Sequence, residues 1–470
     1  MKYNPVPRPD RTVIVKNNGY QYVYLTQCVK YSPRLKRSVP SRVSIGKLDE
    51  NGMLIPNKKY FELFPDSNGL DELGDRADFI SIGPHLVVDK ISNQLSLYSL
   101  LETVFHDKAD KILDIATYMI MSENNVMQYF DDYGYGHSLF NKANFTDSTI
   151  GKLLGSLTVC QMDLFIRSWV TMQNKDGIYV SYDSSNMNTV AGSLTLAEYG
   201  HAKDNPDLPQ VNLSIGYNQT DEVPMFYEIY PGSIIDNTEC QKMVERAKSY
   251  GCKDVGFILD RGYFSIENIK YFEKHDYDYI LMTKGNAAFI TKSIEESVAL
   301  LKEGYQYYME DYELYGKTIE KELFHTGKKQ YIHIYYDGIA AEREKIIINQ
   351  RFHKLDQQLE EKKNQIIKRQ EDVAGYKKYY RLKFDENGYF QSYKRKDKEI
   401  KELINRAGFF AIITSRKMSA SQALEIYRDR DAIEKVFRME KIYLGNDVFR
   451  VHLDEHLESK VFISFIALII

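Results

Sequence analysis

GIYVSYD, Gly177–Asp183, is where the apolar period of this chain changes to two. Strict alternation puts successive side chains on opposite faces of a strand. The same alternation returns in QVNLSIGYN, Gln210–Asn218, and in VPMFYEIYPG, Val223–Gly232, with the turn-prone segments AKDNPDLP and NQTDE between them. A helix from Asn237 to about Tyr250 follows, then the strand VGFILD ending at Asp260, the helix IENIKYFEKH and the strand YDYILMTKG. Three meandering strands followed by alternating helices and strands predict an α/β fold, a mixed sheet covered by helices.

Beyond Lys284 that pattern is interrupted. QYYMEDYELYGKTIEKELF and KQYIHIYYDG have strand patterning, Ala341–Ala374 is a long charged helical run, and GFFAIITS returns to strand only near Gly408. A sheet whose last strand arrives more than a hundred residues late implies an insertion. The closing stretch SASQALEIYRDRDAIEKVFRMEKIYLG, Ser419–Gly445, reads as one helix. Ser419 and Gln422 form a capping box, Gly445 is the stop, and Ile426, Ile433, Val436 and Phe437 make its apolar stripe. Beside that stripe Tyr427, Arg430, Glu434 and Lys441 stand three, four and seven residues apart, on one helical face.

Asp183 and Asp260 each end a β-rich run, so the chain offers two strand-end carboxylates and one helix carboxylate, Glu434. Taken singly each has an ordinary alternative: a turn aspartate, an aspartate paired with Arg261, a helix ion pair with Arg430 or Arg438. Taken together they can hold two divalent cations for phosphoryl transfer, because hard cations bind carboxylate oxygen.

The spacing Y-x-x-R-x-x-x-E-x-x-x-x-x-x-K from Tyr427 to Lys441 resembles the signature of one group of DDE transposases of bacterial insertion sequences. YDSSNM around Asp183, GHAKDNPDLPQVNLSIG from Gly200, VPMFYEIYPGS, DRGYFSIENI from Asp260 and the closing FISFIALII agree with it in order. The resemblance implies a ribonuclease-H-like catalytic domain, with Asp183, Asp260 and Glu434 as catalytic residues and ligands of two Mg²⁺ or Mn²⁺ ions. It implies that Tyr427, Arg430 and Lys441 hold a DNA phosphate. The partners would be transposon terminal repeats and target DNA, bound by a homodimer, in the bacterial cytoplasm at the nucleoid. Cut-and-paste cleavage and strand transfer would be the reaction; a remnant that binds DNA without cutting, and a purely hydrolytic nuclease, are the alternatives.

The rest of the chain sets bounds. Its 470 residues are too many for one compact core. The expected organisation is a β-rich region 1–94, a helical region 95–175 able to bind DNA ends, a first catalytic part 176–285, an insertion 286–406 and a second catalytic part 407–470. A net charge of −4 does not favour phosphate binding overall, so DNA contact must be local. Lys362–Glu402 is basic on balance and Asp66–Asp75 acidic. The four cysteines show no C-x-x-C pairing, which suits reduced thiols. MKYNPVPRPDR lacks the apolar segment of a signal peptide, and the apolar Val461–Ile470 is too short to cross a bilayer, so a core helix and no membrane are expected.

Overall fold

The structure, a computed structural model, describes residues 5–470 except 18–19, 33–35, 65–78, 124–125, 174–177, 201–204, 253–254, 286, 325–326 and 366–374. The expected acidic run from Asp66, and His201 to Asp204 of the GHAKDNPDLPQ segment, therefore lie outside the described residues. Two units divide the chain at Phe79 and Ile80.

The first unit is an antiparallel sheet in sequence order, β1 (Thr12–Asn17), β2 (Tyr20–Ser32), β3 (Arg37–Leu48) and β4 (Leu54–Pro56), with α1 (Lys58–Leu63) after it. Its core is small: Val23, Ile45, Leu54 and Tyr60 are buried. The turn between β3 and β4 forms because Asp49 Oδ1 accepts the backbone N–H groups of Asn51 and Met53 (2.9 and 2.8 Å).

The second unit opens with helices α2 (Gly83–Gln94), α3 (Leu97–Phe105), α4 (Ala109–Ser122), α5 (Phe130–Gly136), α6 (Asp147–Leu154) and α7 (Val159–Gln173). Then come β5 (Tyr179–Thr189), β6 (Gln210–Asn218) and β7 (Val223–Pro231), α8 (Asp236–Ser249), β8 (Gly256–Leu259), α9 (Ile266–Lys274) and β9 (Asp278–Met282). In space these strands lie in the order β7-β6-β5-β8-β9, the first three antiparallel and β5, β8 and β9 parallel. That is the mixed sheet expected from the period of the sequence. Parallel strands need covered faces, and Ile215, Phe257, Leu259 and Leu281 are accordingly buried in one large core with α7 and α8.

Residues 286–406, expected as an insertion, divide in two. Helix α10 (Ala288–Glu303) and strands β10 (Tyr308–Met309), β11 (Leu314–Lys321) and β12 (Gln330–Tyr336) extend the main sheet, where β12 pairs with β15 (Phe409–Thr414), itself paired with β9. The other half is α11 (Gly338–Glu361), the hairpin β13 (Tyr380–Phe384) and β14 (Phe390–Arg395), and α12 (Asp397–Asn405). It closes its own small core around Phe352, Tyr379, Tyr380 and Phe390. The long charged helix runs from Gly338 to Glu361; residues 366–374, the end of the expected run to Ala374, lie outside the described residues.

The chain finishes with α13 (Ala420–Arg428), α14 (Asp431–Arg438), a π turn (Met439–Tyr443), β16 (Val448–Phe449) and α15 (Asp454–Ile469). The apolar C-terminal run is a core helix, as expected: Phe462 lies against Phe105 and Phe165, with ring centres 5.1 and 5.2 Å away. Among the described residues no single helix is long and apolar enough to cross a membrane.

One buried residue makes the sheet that delivers β15 sensitive to acid. His333 on β12 is fully buried, its ring nitrogens held by Thr318 of β11 (2.9 Å) and Thr414 of β15 (3.0 Å). Burial pushes its pKa down to about 4. A depressed histidine stabilises the fold above its unfolded pKa, and that contribution is lost as pH falls from about 6.5 towards 4. The full loss is on the order of 3 kcal/mol. Equilibrium unfolding followed over this range should show the loss, and His333→Gln should flatten the slope; an equal slope in the variant rules His333 out as its source.

Candidate active site

The first two carboxylates are placed by strand register. In the parallel pair of β5 and β8, Tyr182 stands opposite Leu259, so the next residues, Asp183 and Asp260, emerge side by side. Sequence alone suggested that both end strands. Only Asp260 does: β5 continues to Thr189 because β6 keeps pairing with it, and Asp183 stands opposite Ile215 in mid-strand. Each carboxylate is oriented by its own backbone. Asp183 Oδ1 accepts the Ser184 N–H (2.8 Å), and Asp260 Oδ1 accepts the Arg261 N–H (2.7 Å) as the cap of a single 3₁₀ turn.

The third carboxylate comes from the C-terminal helices. Where one continuous helix was expected over Ser419–Gly445, the structure breaks it at Asp429 and Arg430, and then again at the π turn. The Ser419–Gln422 capping box is present, and Gly445 ends the segment at φ +67°. The sequence RDRDA contains neither proline nor glycine, so the first break has no local signature. Two features accompany it: Asp431 and Glu434 fill the first turn of the new helix, where carboxylates favour an N-terminus, and Tyr427 and Arg430 both reach into the sheet.

Those reaches assemble the site. Arg430 Nη1 donates to Asp183 Oδ2 (2.9 Å) and Nη2 to Glu434 Oε1 (2.7 Å). The Tyr427 hydroxyl donates to Asp260 Oδ1 (3.2 Å), and its ring lies 5.7 Å from the Arg430 guanidinium. Asp183, Asp260, Glu434, Tyr427 and Arg430 thus form one connected set; Lys441 sits half-buried in the π turn. The Arg430–Glu434 contact alone would be a plain helix ion pair worth a few tenths of a kcal/mol. The Arg430–Asp183 bond, between residues 247 apart, is tertiary and involves an arginine side chain only 11% exposed.

The electrostatics follow from that geometry. Burial alone would pull the Arg430 guanidinium down, but Tyr427, Asp183, Asp260 and Glu434 together outweigh it and hold its pKa above the ordinary value. Burial pushes the Tyr427 phenol up, with Arg430 opposing the rise and Asp260 adding to it. Arg430 Nε is buried with no acceptor among the described residues. Three carboxylates around one guanidinium leave a net charge of −2. Their oxygens are of the chemistry that hard divalent cations take, and the donor set fits such an ion. In this conformation, however, no three His, Cys, Asp or Glu side chains among the described residues surround one point that could hold a metal. The guanidinium lies between Asp183 and Glu434.

Several fastening residues were not singled out by sequence. Gln219 Nε2 donates to Ser181 Oγ on β5 (2.7 Å) and to the Ile426 carbonyl on α13 (3.3 Å), tying the strand of Asp183 to the helix of Tyr427. Beyond Glu434, the π turn buries Glu440, which accepts from the Asn446 amide (2.9 Å) and from Ser464 on α15 (2.6 Å). Burial lifts this carboxyl to about 7, while nearby Lys460, also buried, is pushed down to about 8. Asn446 leads into β16, which pairs with Asn188 and Thr189 of β5. The helix of Glu434 is thereby pinned to the strand of Asp183. Nothing in the sequence around Glu440 or Lys460 signals these roles, since both stand among other charged residues. Trp169 is fully buried with its Nε1 on the Pro224 carbonyl (2.8 Å), so the single tryptophan is a core residue.

Glu440 should therefore matter to stability. Glu440→Leu takes one of two acceptors from the Asn446 amide, the carboxylate acceptor from the Ser464 hydroxyl and the nearby counter-charge from Lys460, at a cost on the order of 3 kcal/mol. Glu440→Gln, which keeps an acceptor oxygen, should cost clearly less. Denaturant unfolding of the two variants decides it, and equal losses would deny the carboxyl oxygens this role.

Comparison with known proteins agrees with the sequence-level resemblance at the family level. The family model described as the transposase DDE domain matches residues 180–470. No curated protein matches. Among solved structures, the chain is similar to a piggyBac transposase synaptic complex with hairpin DNA, at 9% identity and a TM-score of 0.37, over 68% of this chain and 52% of that one. It is also similar to the Mos1 transposase paired-end complex with the left transposon end, at 11% identity and a TM-score of 0.17, over 52% of this chain and 73% of that one. The chain spans about half the length of the piggyBac transposase chain it matches.

Proposed function

This chain belongs to the transposase DDE domain family, and from that premise we propose that it is the transposase of a bacterial insertion sequence, of the group with the Tyr-Arg-Glu-Lys signature. DDE transposases are phosphoryl-transfer enzymes that use divalent metal ions. The proposed reaction is cleavage at the ends of the element and strand transfer into target DNA, by cut-and-paste, with a homodimer acting on DNA in the cytoplasm. The observation that carries this is the convergence of Asp183, Asp260 and Glu434, from three separate elements, on Arg430 and Tyr427.

In this mechanism Asp183, Asp260 and Glu434 hold two Mg²⁺ or Mn²⁺ ions. Such ions, when bound, activate the attacking hydroxyl and stabilise the leaving oxygen of an in-line displacement. The protein's own side chains do the positioning. Asp183 and Asp260 are fixed by strand register and by the N–H groups they accept, so their oxygens need little reorganisation. Arg430 carries a planar fork with an unused buried Nε–H, the donor geometry suited to a phosphate oxygen. Tyr427 supplies a hydroxyl at the same place, and Lys441, further along, a point charge. Releasing Asp183 or Glu434 would free a further donor of the fork for the same phosphate.

The test is a cleavage and joining assay with the full chain and DNA carrying the inverted repeats that flank its gene. Mg²⁺-dependent nicking followed by joining is expected. Nicking without joining would replace the proposal by a hydrolytic nuclease, and binding without nicking by an inactive remnant.

A further inference from the structure

We propose that Gln219 is a positioning residue of the active site: it holds open the break between α13 and α14, from which Tyr427, Arg430 and Glu434 reach the two aspartates. This rests on the reading of those residues as the catalytic set.

A helix that ends leaves carbonyls without their intrahelical donors. In a continuous helix the Ile426 carbonyl would accept the N–H of Arg430, four residues on. Here that N–H turns to the Tyr427 carbonyl (3.2 Å), and the following amides keep the same tighter step of three, Ala432 to Asp429 (3.1 Å) and Ile433 to Arg430 (3.0 Å). The Glu425 carbonyl, one residue before Ile426, still has its helical donor, the Asp429 N–H (3.1 Å). Ile426 thus loses its helical donor at the joint, and the Gln219 amide supplies another, Nε2 to the Ile426 carbonyl at 3.3 Å. A break with no signature in its own sequence is answered by a side chain from the β6–β7 turn.

That side chain is aimed from both ends. The second hydrogen of Nε2 goes to Ser181 Oγ (2.7 Å), so each of the two amide N–H groups has one acceptor. Ser181 is fully buried and lies two residues before Asp183, on the same face of β5. The backbone N–H of Gln219 donates to the Tyr179 carbonyl (3.2 Å), which fixes the residue beside the start of β5. Asn218, fully buried, folds the turn around itself: its Oδ1 accepts the N–H groups of Thr220 (2.9 Å) and Asp221 (3.3 Å), and its Nδ2 donates to Asp221 Oδ2 (3.0 Å). One amide therefore spans from the strand of Asp183 to the last turn of the helix that carries Tyr427. Without its N–H groups the Ile426 carbonyl has the Arg430 N–H as its nearest replacement, and taking it would close the break and redirect α14 with Glu434.

The experiment compares the full chain with Gln219→Leu and with Gln219→Glu, which keeps the shape of the side chain without its N–H donors. Both should lower kcat for DNA cleavage on the order of 10²-fold, the effect of misplaced reacting groups, with KM for DNA near the parent value. Hydrogen exchange across Ala420–Arg438, followed without DNA or metal, should slow at Arg430 and Asp431 as the two helices join. Parent-like kcat and exchange in Gln219→Glu overturn the proposal, since shape alone would then suffice. Faster exchange throughout α13 and α14 with a lowered melting temperature also overturns it, and makes Gln219 a general fastener of the fold. The exchange measurement needs no reaction, so a parent chain that fails to cleave DNA counts against the catalytic reading and leaves the joint to be decided on its own.

Discussion

Exchanging any one of Asp183, Asp260 and Glu434 for its amide, as Asp183→Asn, Asp260→Asn or Glu434→Gln, is expected to cut Mg²⁺-dependent strand cleavage on the order of 10³-fold or more while DNA binding stays near the parent value. The size follows from how the three act. Each supplies a negative oxygen that another cannot replace, because Asp183 and Asp260 are fixed by the β5–β8 register and Glu434 by the far end of the chain. Removal of one also lowers the local charge from −2 to −1, so calorimetry should show a parallel loss of Mg²⁺ affinity. A variant that cleaves at the parent rate takes its residue out of the site, whatever its position in the motif.

The second large effect concerns Arg430. Read from the spacing of the motif, it is a phosphate clamp whose loss should leave metal binding untouched. Its bonds to Asp183 and Glu434 change that expectation, since guanidinium and divalent cation now compete for the same oxygens. Arg430→Ala should lower the melting temperature in metal-free buffer: it removes two charge-assisted hydrogen bonds, each worth on the order of 1.5–3 kcal/mol and less for the bond to the more exposed Glu434. Added Mg²⁺ should restore much of that loss and should bind more tightly than to the parent. Processing of DNA ends should still fall roughly 10²-fold, the effect of losing one preorganised donor at developing charge. Arg430→Lys, which keeps charge but not the fork, should recover stability better than processing. Weaker Mg²⁺ binding by Arg430→Ala would show that the arginine supports the metal ligands instead of standing in for the cation.

Much of this was readable in the chain. Period-two runs located β5, β6 and β7, and turn residues separated them, because one-sided burial writes itself into alternation. The spacing of Tyr427, Arg430 and Glu434 pointed to one shared face, and these three reach the same cluster even though the helix carrying them is broken. The break itself was not legible. Nothing local in RDRDA ends a helix, and the partners of Tyr427 and Arg430 lie 167 and 247 residues upstream. For the same reason Gln219, within the turn-prone NQTDE, showed no sign of its role: its partners are Ser181 and Ile426, remote in sequence. Asp183 looked like a strand end because its polarity closes an apolar run, yet β6 carries the ladder on past it. Residues 1–64 hold twelve Lys and Arg against four Asp and Glu, a surplus that disappears when charge is summed over the whole chain.

The pairing of β16 with β5 carries a consequence for biosynthesis. Thr189 Oγ1 donates to the Phe449 carbonyl, closing a loop of 260 residues. Chain closure over such a span is slow and entropically costly, and the residues that fasten the third carboxylate leave the ribosome long after the first. At about 5–20 residues per second, a nascent chain that has displayed Asp183 must wait roughly 13–50 s before Phe449 is made. During that interval the sheet can form around Asp183 and Asp260 without Glu434 in place. On the proposed function, an unfinished polypeptide would stay unarmed until synthesis has passed this clasp.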